Sequence, residues 1–88
     1  MNVGNNVNMR GISLEFIGAM CSNFRKYKLA VTQQQVADNC CVSRELVSKF
    51  EGGKLSNSII FLYYIKCGLF DWIPIDNWNG WAAYNTKG

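Results

Sequence analysis

Residues 32–53, TQQQVADNCCVSRELVSKFEGG, decide how the rest of the chain is read. Thr32 is placed to cap a helix starting at Gln33, because its hydroxyl can take an otherwise unpaired backbone N–H. Val36 and Ala37 follow on one face, and Cys40 extends that face by a turn. Ala37 is small, which suits two helices crossing closely beside a tight turn. Asn39-Cys40-Cys41-Val42 makes a short connection, and Ser43 is a second capping residue. The spacing predicts the next helix over Arg44–Glu51, with Val47 and Phe50 on its inner face. Gly52-Gly53 then stops it, since glycine tolerates the left-handed conformation at a helix C-terminus.

The second helix leaves Arg44, Glu45, Ser48 and Lys49 facing outward, with Ser43 at its start. These side chains suit nucleic acid: arginine reads guanine with two parallel bonds, glutamate accepts from cytosine, and serine and lysine reach bases or phosphates. A helix N-terminus also favours phosphate through its free N–H groups and its dipole. The bland alternative is a solvated charged face, with Glu45 and Lys49 forming an ordinary i,i+4 pair. Val36, Ala37, Val42, Val47 and Phe50 are core under either account.

The pattern Thr32-Gln33, Val36-Ala37, Val42-Ser43, Val47-Ser48, Phe50-Glu51 and Gly53 resembles the lambda-repressor-like helix-turn-helix of phage Cro and repressor proteins and their bacterial relatives. With less specificity the resemblance extends from about Ile17 to Leu69. It implies an all-α fold, a compact bundle of four to five short helices around a central helix-turn-helix. It implies that Gln33, with Thr32 beside it, opens the first helix of the motif against the DNA backbone. Arg44, Glu45 and Lys49 would take the base-reading positions, with Ser43 and Ser48 near bases or phosphates. Lys54 and Asn57 would lie near phosphate, and Lys26 and Glu51 would form an ion pair across the fold. Two residues depart from the pattern: Cys41 and Ala30 stand where the family usually has glycine.

Charge agrees with a polyanionic partner. Of the net +3, all lies in residues 22–54, where Arg25, Lys26, Lys28, Arg44, Lys49 and Lys54 outnumber Asp38, Glu45 and Glu51. In the flanks, Arg10 cancels Glu15, and Lys66 and Lys87 cancel Asp71 and Asp76. A concentrated basic region is the electrostatic footprint of nucleic-acid binding, though +3 is weak for one copy acting alone.

Cys21, Cys40, Cys41 and Cys67 form no CxxC pair and the chain has no histidine, so their spacing matches no zinc module. They read as reduced thiols, mostly buried as small hydrophobes. No metal and no cofactor is expected, nor a catalytic role: histidine, a paired-carboxylate cleft and a phosphate-cradling glycine loop are all missing from the sequence. No stretch is apolar for long enough to span a bilayer, and no signal-peptide pattern opens the chain. The expectation is a cytoplasmic, nucleoid-associated protein with no membrane partner and no small-molecule effector.

Working outward, residues 1–11 read as a loose tail, 12–70 as the DNA-binding domain, and 71–88 as an aromatic C-terminal extension packing on the domain or on a dimer partner. A first helix is predicted from Ile12 or Ser13 to Lys28, with a stripe of Ile17, Met20, Phe24 and Tyr27. Residues 59–65, IIFLYYI, have strand-like propensity. They follow the cap-rich Ser56-Asn57-Ser58, where the resemblance puts a fourth helix, and are read as a helix. Ile59, Leu62 and Ile65 are expected to cover the motif, leaving Phe61 and Tyr64 outward. Pro74 breaks any helix through LFDWIPIDNWNGWAAY. Phe61, Tyr64, Trp72, Trp78 and Trp81 are the candidate dimer interface, since large aromatics concentrate at interfaces.

Together these readings make the chain an expected sequence-specific, double-stranded-DNA-binding transcriptional regulator. It would be a repressor of phage or mobile-element type, acting as a homodimer on a near-palindromic operator. Two other classes stay open: the antitoxin of a toxin–antitoxin pair, and a protein-interaction module that has lost DNA binding.

Overall fold

The computed structural model describes residues 12–73, and Trp78 and Trp81 lie outside them. Within that span the chain is all-helical, with no strand. Helix α1 (Leu14–Asn23) runs on as a π-helical stretch (Phe24–Leu29), followed by α2 (Gln33–Cys40), α3 (Arg44–Glu51), α4 (Ser58–Lys66) and the short α5 (Leu69–Trp72). Helix α3 is the centre, packed on α1 and α2, while α4 packs on α2 and α5, and α5 returns to the π-helical stretch.

Each boundary has a local cause. Ser13, Thr32, Ser43 and Asn57 cap the four longer helices, each accepting the N–H three residues on at 2.9–3.1 Å. Caps of this kind are worth about 1 kcal/mol each. Thr32 and Gln35 complete a reciprocal capping box. At the other ends, α2 and α3 close with the same pair of bonds. Val42 N donates to Ala37 O and Cys41 N to Asp38 O; Lys54 N donates to Lys49 O and Gly53 N to Phe50 O. Both closures need a left-handed residue, which is Gly53 at φ 77° after α3 and Cys41 at φ 59° after α2. Ala30, φ 56°, does the same after the π-helical stretch. A non-glycine residue pays about 1–2 kcal/mol for that conformation.

The core comprises Phe16, Met20, Cys21, Phe24, Val36, Ala37, Val47, Phe50, Ile60, Tyr64, Leu69 and Ile73. Its middle is aromatic: Tyr64 packs edge-on to Phe24, centroids 6.2 Å apart, and stacks on Phe50 at 6.4 Å. Gly18 lets α1 approach closely, since a Cβ there would stand 2.5 Å from the carbonyl oxygens of both Phe50 and Glu51.

The structure corrects three expectations. Arg25, not Lys26, pairs with Glu51, and Tyr27 is exposed instead of continuing the apolar stripe. Arg25 lies four residues after the buried Cys21 and so on the same face, while the wider π-helical turn over Phe24–Leu29 takes Tyr27 out of line with Met20 and Phe24. In α4 the faces are reversed: Ile60 and Tyr64 are fully buried, while Ile59 and Leu62 are 56 % and 59 % exposed. A run apolar at nearly every position carries no phase of its own. The Asn57 cap and the reach of the Tyr64 hydroxyl set it instead. Tyr64 therefore offers no surface to a dimer partner. Phe61 is half-buried between Phe50 and Phe70, and Trp72 lies 5.5 Å from Phe24, so both also pack within their own chain.

Candidate nucleic-acid interface

Helices α2 and α3 form one face together with the Lys54 loop. The side chains singled out on α3 all point outward: Arg44, Glu45, Ser48 and Lys49 are exposed while Val47, Phe50 and Glu51 are buried. Lys54 is exposed in the loop beyond. The Arg44–Glu51 sequence produces this division because its apolar residues fall three apart, on the side turned toward α1 and α2. Thr32 and Ser43 are exposed at the N-termini of α2 and α3, where their oxygens accept from Gln35 N and Leu46 N. Asn57 is half-buried and spends its Oδ1 on the N–H of Ile60. Its place is structural first, with its amide nitrogen left over for an anion.

Beneath this face lies a polar cluster of which the sequence announced only an ion pair at Glu51, with Lys26 in the place of Arg25. Glu51, 8 % exposed, accepts from Arg25 Nε at 2.8 Å and Nη2 at 3.0 Å, from Tyr64 Oη at 2.6 Å, and from Gln33 Nε2 at 3.1 Å. Arg25 spends its remaining Nη1 on the carbonyl of Val31 at 3.0 Å, which ties the chain leading into α2 to the same point. Burial alone would raise the Glu51 carboxyl, but the bonds from Arg25, Tyr64 and Gln33 and the Arg25 charge outweigh it and hold it below the ordinary carboxylate range. The Arg25 bond to Glu51 raises the guanidinium in turn, against a smaller opposing effect of burial. Tyr64 is pushed up by burial and then by its bond to Glu51, so its hydroxyl stays a donor. A buried carboxylate survives only where its lone pairs are met, and here each has a partner.

This cluster changes the charge account. Arg25 and Glu51 neutralise each other inside the fold, so the motif's outward charge comes from Lys26, Lys28, Arg44, Lys49 and Lys54 against Asp38 and Glu45. Asp38 is itself engaged by Gln34 Nε2 at 2.9 Å. Gln33 reaches the surface as well, its Oε1 accepting from Arg44 Nη1 at 3.3 Å. Arg25 and Tyr64 were the residues missed. An arginine one place from an expected lysine, and a tyrosine inside an apolar run, carry no sequence signal of a shared partner.

The four thiols are free: Cys21 is buried, Cys40 and Cys67 half-buried, and Cys41 exposed in the α2–α3 turn. Burial, and next the nearby Glu51 charge, push the Cys21 thiol well up. Among the described residues no three histidine, cysteine or acidic side chains are grouped to hold a metal ion. Among them, too, no helix is long and apolar enough to cross a membrane. Leu14, Ile17, Phe50, Leu55 and Phe61, with Asn57 at its edge, line an apolar groove of about 230 Å³. Compared with known protein families, curated proteins and solved structures, the chain matches none of them.

Proposed function

We propose that the protein is a sequence-specific regulator that binds double-stranded DNA, laying α3 into the major groove and repressing transcription by occupying an operator. The observation that carries this reading is the division of α3. One side is locked into the core by Val47, Phe50 and Glu51, which accepts four bonds, and the other presents Arg44, Glu45, Ser48 and Lys49 exposed. A rigid helix with an outward polar row is what base readout needs. Thr32, Gln33 and Ser43 at the helix starts, with Lys54 and the Asn57 amide nitrogen beyond, supply positioning contacts to the backbone.

A second copy completes the reading. Two recognition helices about 34 Å apart read successive major-groove faces of a near-palindromic operator and double the phosphate contacts of a weakly charged domain. The surface offered to that copy is the outward row of α4, Ile59 and Leu62. The protein's place would be the cytoplasm, on the nucleoid, with no enzyme activity. Selection of bound duplexes from a randomised pool tests the reading. A half-site should emerge for the intact chain and dissolve in Arg44→Ala while helicity is unchanged; an Arg44→Ala variant that selects the same half-site would refute it.

The apolar groove beside α1 and α4 favours one competing account, a protein-interaction module or antitoxin whose partner fills that groove. Binding to DNA that is undetectable or indifferent to salt would select it.

A further inference from the structure

Cys40 is the last residue of α2 and Cys67 caps the end of α4, and the two helices pack on each other. A hydrogen bond ties their ends: Asn39 Nδ2 donates to Tyr63 Oη at 3.0 Å, one residue before the first thiol and one helical turn before the second. Burial pushes the Tyr63 hydroxyl up and the bond from Asn39 opposes it, while a hydrogen bond with Cys67 and the charges of the Cys67 and Cys40 thiolates add to the rise. Tyr63 therefore stands beside both thiols. The Cys40 thiol is pushed up by burial, and then by the neighbouring Cys41 and Cys67. On its other side Cys67 lines an open pocket of about 370 Å³ with Lys28, Asp71 and Trp72. The pocket thus offers one cation, one anion, an indole and a thiol. That set matches a small zwitterionic disulfide, with a carboxylate on Lys28, an ammonium group on Asp71 and the S–S bond at Cys67.

We infer that Cys67 is a modification site for zwitterionic low-molecular-weight disulfides of the glutathione type, and that Cys40 resolves the adduct into a Cys40–Cys67 disulfide. The Cys67 thiolate attacks one sulfur of the small disulfide. A bond to Cys67 forms as the original S–S bond breaks, and the leaving thiolate takes up the proton that Cys67 gave up. Cys40 then attacks the Cys67 sulfur of the mixed disulfide and loses its proton to the second leaving thiolate. Two protein thiols are oxidised and one small disulfide is reduced to two thiols. Cys67 acts first because it lines the pocket, and Cys40, kept protonated by its surroundings, acts second. The closed pair fastens the end of α2 to the end of α4 in a loop that contains all of α3. It stays open in a reducing compartment and closes when the disulfide pool is oxidised. None of these steps depends on DNA binding.

The test uses the full chain carrying Cys41→Gly, which removes the exposed competing thiol, with oxidised glutathione as the probe and the uncharged hydroxyethyl disulfide beside it. Mass spectrometry and peptide mapping should find Cys40 joined to Cys67 and Cys21 still free. Adding Cys40→Ser should halt the reaction with one glutathione held on Cys67, and adding Cys67→Ser should leave Cys40 unmodified. Lys28→Glu should slow the reaction with glutathione by on the order of 10-fold and leave the rate with the uncharged disulfide unchanged. The closed chain should melt on the order of 10 °C higher than the open one, and a thiol reductant should reverse the shift. Glutathione that stays on Cys67 with Cys40 present would overturn the pair. A glutathione rate indifferent to Lys28→Glu would overturn the zwitterion site. A Cys67 that reacts only in denaturant would overturn both.

Discussion

Replacing Gly18 with alanine should cost the fold more than its position in mid-helix suggests. A Cβ at this site would stand 2.5 Å from two backbone oxygens, Phe50 O and Glu51 O, whereas ordinary contact begins near 3.4 Å. The shortfall is about 0.9 Å, and neither obstacle is a side chain that could swing away. Helix α1 must move off the end of α3, dragging Arg25 from Glu51 as it goes. Overpacking of a tight interior costs about 1–3 kcal/mol, and rigid backbone on both sides puts this case at the upper end. Alanine returns about 1 kcal/mol through its better helix propensity. The net loss is about 2 kcal/mol, or roughly 8–16 °C in Tm for a domain of this size. Thermal and urea unfolding followed by circular dichroism measure it directly. An unchanged or raised Tm would show that α1 and α3 are not pressed together at Gly18, and the close seating of α3 would be wrong.

Other perturbations follow from the same geometry. Ala30→Gly and Cys41→Gly each relieve a left-handed non-glycine residue, a gain of about 1–2 kcal/mol less about 0.5–1 for the freer unfolded chain, so each should raise stability in urea titrations. Tyr64→Phe removes the 2.6 Å bond to a buried carboxylate and should cost about 1.5–3 kcal/mol at neutral pH. Glu51 has a folded pKa below its unfolded value of about 4.3, so its contribution is complete at neutral pH and drains away as the pH falls through that value toward the lower folded one. The gap between wild type and Tyr64→Phe should accordingly narrow in acid; a gap independent of pH would remove Glu51 from the explanation. Leu62→Glu should leave the Tm close to that of the wild type and yield a monomer by sedimentation, because Leu62 is already 59 % exposed in the single chain.

What the sequence made legible was whatever depends on neighbours along the chain. The caps Thr32, Ser43 and Asn57, the stop after α3, and the inward set Val36, Ala37, Val47 and Phe50 each need only a few adjacent residues to be recognised. The outward row of α3 followed from the same periodicity. What was not legible depends on contacts across the fold. Gly18 in mid-helix reads as a small propensity penalty until α3 is seen against it. The pairing of Glu51 with Arg25 in place of Lys26 is decided across the fold, and no local signal marks it. In α4 the apolar run hid its own phase, so Ile59 and Leu62, expected inward, are exposed and Tyr64, expected outward, is buried. The buried cluster joins residues 13 to 26 positions from Glu51, and only tertiary structure brings Arg25, Gln33 and Tyr64 to one carboxylate.

The most direct measurement is the affinity for the protein's selected half-site duplex as a function of salt, with random duplex as competitor. Lys54 gives one exposed cation per copy placed on phosphate, two in a pair. Log affinity should then fall against log salt with a slope of about −2, at a site protected symmetrically over two half-sites. A slope near zero, or equal affinity for random duplex, would contradict DNA reading by α3.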